Sequence, residues 1–316
     1  MKRGFIVIIA LFSALMAWAQ PNAFFDEKGL RRIETQELSE TSGNLVSVFH
    51  RSDDVVWSRV VYRIIDMRYL QNYQLYMPIS GTNPENCSLL KVMLSAIADG
   101  MAVYEKDPNG DVKPYFNDEM KSEGEAALDW FDLIQLSDPD LSEEDRADVR
   151  VMKYDSIAGK LYLDENRFEQ FAKNQLKYII QEVVFFDKHY SRLYSKILAI
   201  APMHADNMPE NLIAEGEKTS EEVMTALWSQ ILFWVPFDSF RPYMAKQYVT
   251  QMDNNTKRVT FDEFFQQKLY SSYLVGVSDV YDRMIPDYAT THEEIVKEQE
   301  RIEWELLTAE QDLWEY

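Results

Sequence analysis

The chain has 316 residues, 13% of them aromatic, with 53 Asp and Glu against 32 Lys and Arg, and its formal charge is −21 at pH 7. That balance excludes nucleic acid as a partner, because phosphate binding needs cations in excess, and it opposes an anionic membrane surface. Cys87 is the single cysteine, which excludes an intramolecular disulfide. Stability must come from a hydrophobic core, and the length suffices for one large domain or two small ones.

Residues 1–19 read as a secretory signal peptide. Lys2 and Arg3 begin it, Phe5 to Trp18 form an apolar run, and Ala17-Trp18-Ala19 fits a small-x-small cleavage site. A spanning anchor needs roughly 20 apolar residues, more than this run offers. Cleavage would leave Gln20 first, with no cysteine beside it to carry lipid, and would export a soluble protein. The most apolar later stretch, LWSQILFWVPF (227–237), is too short to span and contains a proline. Residues 20–52 are polar, mixed in sign and without period, and read as an N-terminal arm.

An α+β core is expected over 53–289, followed by a C-terminal helix at 290–316. The core opens on SDDVVWSRVVYRIIDMR (52–68). As a strand, one face would mix Arg59 and Arg63 with Val61 and Ile65. As a helix, Val56, Val60, Ile64 and Met67 form a row beside Trp57, Val61 and Ile65, with Arg59, Arg63 and Asp66 on the far side. The cleaner period predicts a helix. Residues 88–99 predict a second amphipathic helix closed by Gly100, and 101–116 a β-hairpin turning at Asn109-Gly110. From Asn117 to Arg150 there are 12 acidic residues against 3 basic ones, which predicts an exposed insertion of short helices with Ser142 a candidate cap. The strongest β-hairpin spans 177–202, with its turn over Asp187 to Ser191. Beyond it come a Glu-rich helix (219–232), extended segments at 233–237 and 247–251, and a helix over 261–276 capped by Thr260. The acidic C-terminal helix is expected over 293–314, with an apolar stripe through Ile295, Ile302, Leu306 and Leu313. There is no internal repeat.

The pattern specifies no reaction. It contains no GxGxxG, GxxxxGK or GxSxG motif. DNNTKRVTFDEF (253–264) begins like a calcium loop, yet Arg258 stands at the glycine position and Phe264 at the bidentate one, so a turn before a helix explains it. DPNGD (107–111) is explained as a hairpin turn. His50, His189, His204 and His292 are dispersed; His204 with Asp206 could supply two metal ligands at most. Cys87 reads as a small buried apolar residue. Arg59, Arg63 and Asp66 at helical spacing read as a charge network rather than an anion site.

One resemblance covers nearly the whole chain. DDVVWSRVVYRIIDMR, NYQLYMP (72–78), VYEKD (103–107), VVFFDKHYSRLYSKILAIAP, FDEFFQQKLYSSYL, VYDRMIPDY (280–288) and DLWEY (312–316), in that order from about Asp53 to Tyr316, resemble the GldN/PorN family of the type IX secretion system and gliding-motility machinery. The resemblance implies a non-enzymatic structural subunit without cofactors or catalytic residues. It implies self-association within a periplasmic ring, built with a GldK/PorK-like outer-membrane lipoprotein beneath the outer membrane. It also implies engagement of the GldM/PorM motor stator by that ring. The matched motif residues are Trp57, Arg59, Arg63, Asp66, Phe186, Asp187, Tyr281, Asp282, Arg283 and Trp314, with either a core or an interface role. The acidic section 117–150 carries none of these motifs. The alternative on composition alone is an exported hydrolase or glycan-binding protein, suggested by the aromatics and carboxylates.

Overall fold

The computed structural model describes residues 50–79, 87–101, 103–106, 114–120, 151–155, 157, 160–204, 230–249, 259–278, 284–289 and 291–314. In chain order its elements are β1 (Val55–Asp66), α1 (Tyr73–Tyr76), α2 (Leu89–Ala98), β2 (Val103–Lys106), β3 (Pro114–Met120), β4 (Met152–Asp155) and β5 (Lys160–Leu163). There follow α3 (Glu165–Ala172), β6 (Gln175–Asp187), β7 (Arg192–His204), β8 (Val235–Pro236) and α4 (Phe237–Met244). The last four are α5 (Phe261–Gln266), β9 (Tyr273–Val277), α6 (Ile285–Tyr288) and α7 (His292–Trp314). The fold is α+β. No helix among the described residues is long and apolar enough to cross a membrane.

The helix expected over 53–68 is a strand. Asp53 and Asp54 sit in a short 3-10 turn, and β1 then runs for twelve residues. Six of these are Val or Ile, whose branched β-carbons favour extended backbone. β1 pairs antiparallel on both sides, with Val60 opposite Val183 of β6 and Val61 opposite Val277 of β9. An inner strand covered on both faces is apolar in both parities, so the alternation that would have revealed it is absent. The helical spacing of Arg59, Arg63 and Asp66 is coincidental: the two arginines share one face, and Asp66 lies on the other.

Five strands form the central antiparallel sheet in the order β8-β7-β6-β1-β9. Its spine is the hairpin β6–β7, which extends beyond the expected span at both ends, pairing Ile180 with Ile200 and Phe186 with Leu193. On one face, Ile65, Tyr178, Ile180 and Ile200 pack under α2, α4 and α5 in the main core. Val60, Tyr62, Ile64 and Val183 pack on the other face with Tyr104, Trp234 and Met284. Gln181, fully buried, donates to the Tyr62 hydroxyl at 2.9 Å, which gives its amide a partner inside this layer.

The helix caps follow from local chemistry. Ser88 accepts the Lys91 N–H at the start of α2. Gly100, at φ +97°, closes that helix, with Met101 N–H on Ala96 O and Gly100 N–H on Ile97 O. Thr260 and Glu263 form a reciprocal capping box on α5. The helix expected over 261–276 is shorter than that. Lys268, at φ +52°, ends it, with Leu269 N–H on Phe264 O and Lys268 N–H on Phe265 O, and the chain continues as β9. Apolar residues 273–277 satisfy a helical period and an edge strand alike, and the left-handed turn decides between them.

β2 and β3 form the expected antiparallel pair, and β3 takes in the first four residues of the acidic section. The predicted helix ending at Leu232 finishes in extended backbone, since Ile231 bridges Met203 and the His204 N–H donates to Gln230 O. At 233–237, Val235 and Pro236 are extended as expected, whereas Phe237 begins α4. Residues 1–49, 80–86, 107–113, 121–150, 205–229, 250–258 and 279–283 lie outside the described residues. With them lie the signal peptide, most of the arm, the Asn109-Gly110 turn, Ser142, Asp206 and the front of the Asp253 loop.

Candidate functional site

The sheet face left open beside α5 is covered by α7. Ile302 and Leu306 are buried there against Val61, Val184, Leu274 and Val277, with Trp57, Leu193 and Ile295 packed around them. Thr291 starts the helix with a capping box to Glu294. Gln299 Nε2 donates to Leu274 O at 2.6 Å, which satisfies a carbonyl on edge strand β9.

This cover explains the mixed face of β1. Arg59 Nη1 donates to Glu305 at 3.2 Å and Arg63 Nη1 to Glu303 at 3.3 Å. A strand face alternating Arg, Val and Arg is therefore the counterpart of an acidic amphipathic helix. Trp57 is half-buried on the same face, opposite Phe186, which is buried. Asp66 is buried at the end of β1. Burial opposes its charge, but the hydrogen bonds and field of Arg68 outweigh that and hold its pKa below the ordinary value.

Between α7 and the β6–β7 hairpin lies a groove of about 430 Å³, lined by Val184, Leu193, Tyr194, Leu306 and Leu307 around a charged floor. Glu182 is that floor. It is only 3% exposed and is held by Lys268 Nζ at 2.6 Å and Arg63 Nε at 3.6 Å. Lys268 also reaches Ser195 Oγ. Burial, and then the Glu182 charge, push the Tyr270 hydroxyl far above its usual pKa, so it stays protonated. Each charge in the groove has its counterion, and the geometry offers neither a nucleophile–base pair nor an open metal site.

Asp187 and His50 form a second constellation. Asp187, 1% exposed, accepts the His189 and Tyr190 N–H groups and so caps the β6–β7 turn, while its other oxygen meets His50 Nδ1 at 2.7 Å. His50 is buried against the rings of Phe185 and Tyr194. Burial opposes the Asp187 charge, yet the His50 and backbone hydrogen bonds prevail and lower its pKa. A carboxylate with a lowered folded pKa contributes stability above its unfolded pKa and loses that contribution as pH falls through the folded one. Asp187→Asn should therefore unfold at lower urea than wild type at pH 7, with a smaller difference at about pH 3, below the ordinary carboxylate value. Urea midpoints at the two pH values check this, and an unchanged gap would defeat it.

Sequence reasoning missed three arrangements. His50 and Asp187 are 137 positions apart, and nothing local pairs them. Glu182 carried a signal, a carboxylate inside the apolar run YIIQEVVFF, which demands a cation somewhere in the fold. The third is the pair Arg241–Asp262, both 1% exposed in their side chains, with Nε–Oδ1 at 2.7 Å. His204 is buried and stacked on Phe171 at 4.1 Å, with Nε2 at 2.9 Å from Phe171 O, and Cys87 is buried with its thiol pushed up by burial. Among the described residues no group of three or more His, Cys, Asp and Glu could hold a metal ion. Tyr281, Asp282 and Arg283 lie outside the described residues, and Trp314 ends α7.

No curated protein matches the chain. The family model described as "Gliding motility associated protein GldN" matches residues 50–315, which spans every element of the sheet and its covering helices. The chain belongs to the GldN family. As a GldN-family protein it is a periplasmic, non-catalytic structural component of the gliding-motility and type IX secretion machinery. The match starts at His50, the residue that docks on Asp187, and runs through α7.

Proposed function

We propose that this GldN-family chain is a ring subunit, assembling with a GldK/PorK-like outer-membrane lipoprotein on the periplasmic side of the outer membrane and engaging a GldM/PorM-like stator domain through that ring. Residues 1–19 are removed on export, leaving residues 20–52 as an arm before an α+β core over 53–289, with 117–150 an exposed insertion and 290–316 a C-terminal helix. The observation that carries the reading is the family match over residues 50–315. The paired charges of the groove support it, since ion pairs with full partners suit a rigid scaffold better than a reacting site.

The net charge sets the physics of assembly. The full chain has charge −21, and loss of Lys2 and Arg3 with residues 1–19 takes the subunit to −23; identical copies repel, so a ring needs a compensating partner surface. The isolated protein should be monomeric or a small oligomer, and co-expression with the lipoprotein should yield large rings. Raising salt should slow association more than dissociation, because screening acts on encounter. Size-exclusion chromatography with light scattering, followed by electron microscopy, checks this. Co-expressed full-length protein eluting as a free monomer would sink the reading.

A further inference from the structure

The helix α7 has a second apolar face that its packing on the sheet does not use. Ile302 and Leu306 point inward. Turned away from them by helical spacing are Val296, Leu307 and Trp304, which are 36%, 59% and 71% exposed. Trp304 is far more exposed than half-buried Trp57 and buried Trp234, and exposing so large an apolar surface is unfavourable unless something covers it. Leu307 continues this face into the groove, where Leu193, Tyr194 and Leu306 form its apolar wall. Trp304 protrudes about one helical turn before Leu307, and tryptophans commonly anchor binding surfaces.

Charge identifies the occupant. α7 carries eight carboxylates against Lys297 and Arg301. Both cations are already engaged within the helix, Lys297 by Glu293 and Arg301 by Glu298 and Glu305. A second copy of the same helix would meet like charge, and an anionic lipid surface would be repelled in the same way. We infer that the outward face of α7 docks a partner protein whose surface offers an apolar pocket for Trp304, rimmed by Lys and Arg that meet Glu300. This deepens the proposed function and rests on it for the identity of the partner, though not for the location of the surface.

The test uses the full chain co-expressed with the lipoprotein. Trp304→Ala with Leu307→Ala should lower the chain retained on immobilised lipoprotein by tenfold or more, with thermal unfolding unchanged because neither side chain is in the core. Glu300→Lys should weaken retention and flatten its salt dependence. In parallel, p-benzoylphenylalanine introduced at position 304 in cells should give one ultraviolet adduct, mapped by mass spectrometry to a partner peptide bearing Lys or Arg. Variants retained as well as wild type would overturn the inference and leave the proposed function standing. Wild-type chain that is not retained at all would overturn the proposed function. In that event the adduct decides the surface: a single basic partner peptide upholds it, whereas an adduct to the chain itself, or none, rejects it.

Discussion

Asp262→Ala is expected to destabilise the protein by about 3–5 kcal/mol, because it removes from the buried Arg241 guanidinium a carboxylate that holds it through two contacts. The two side chains meet through parallel contacts, Nε–Oδ1 at 2.7 Å and Nη2–Oδ2 at 3.1 Å, and tie α4 to α5 in the main core. Neither group can reach water, since both side chains are 1% exposed. The pair itself need not be worth that much. Taking two ions from water costs several kcal/mol each, and their attraction roughly repays it. Arg241→Met combined with Asp262→Leu should therefore be far milder than the single change. Equilibrium urea unfolding of the three proteins measures both numbers, and a single-variant cost below about 1 kcal/mol would refute the account of a weakened buried ion pair.

The second large effect concerns how α7 is held. Ile302→Ala and Leu306→Ala should each cost about 2–4 kcal/mol, the range for buried aliphatic truncations whose cavities collapse in part. The loss should be local, because only α7 and its neighbours share that cluster. Amide hydrogen exchange should rise along α7 and at β9, while β6 and β7 keep the protection of the global fold. Uniform loss of protection over the whole sheet would show that α7 is part of one cooperative unit. These inward positions contrast with Trp304 and Leu307, whose removal should alter binding and leave exchange unchanged.

Much of the fold is legible in the residues. The hairpin β6–β7 announces itself as two apolar runs about a polar turn. α2 is bounded by Ser88 and Gly100, and the stripe of α7 has the helical period. β1 was not legible, because the rule separating strand from helix asks for one wet face and beyond Ser58 β1 has none. Its arginines are explained only when Glu303 and Glu305 arrive from the other end of the chain. The groove was equally hidden: Glu182, Arg63 and Lys268 come from two strands and a turn, and their encounter is a property of the topology. Arg59, Arg63 and Asp66 at helical spacing suggest one charge network on a helix, whereas two of them answer to α7 and the third to Arg68.

Lys268 has two tasks that pull in different directions. Its backbone takes the left-handed conformation that ends α5, a role in which glycine is free of the ~1–2 kcal/mol an L residue pays. Its ammonium is the near counterion of Glu182. Glycine at 268 would relieve the turn and leave the carboxylate to the more distant Arg63; a neutral residue at 182 would remove the need for the lysine and leave only its cost. The two positions, 86 apart in the chain, are thus tied as a unit. A substitution at either site is tolerable only with a matching one at the other, so the identity of a helix-terminating residue is dictated by a strand it does not adjoin in sequence.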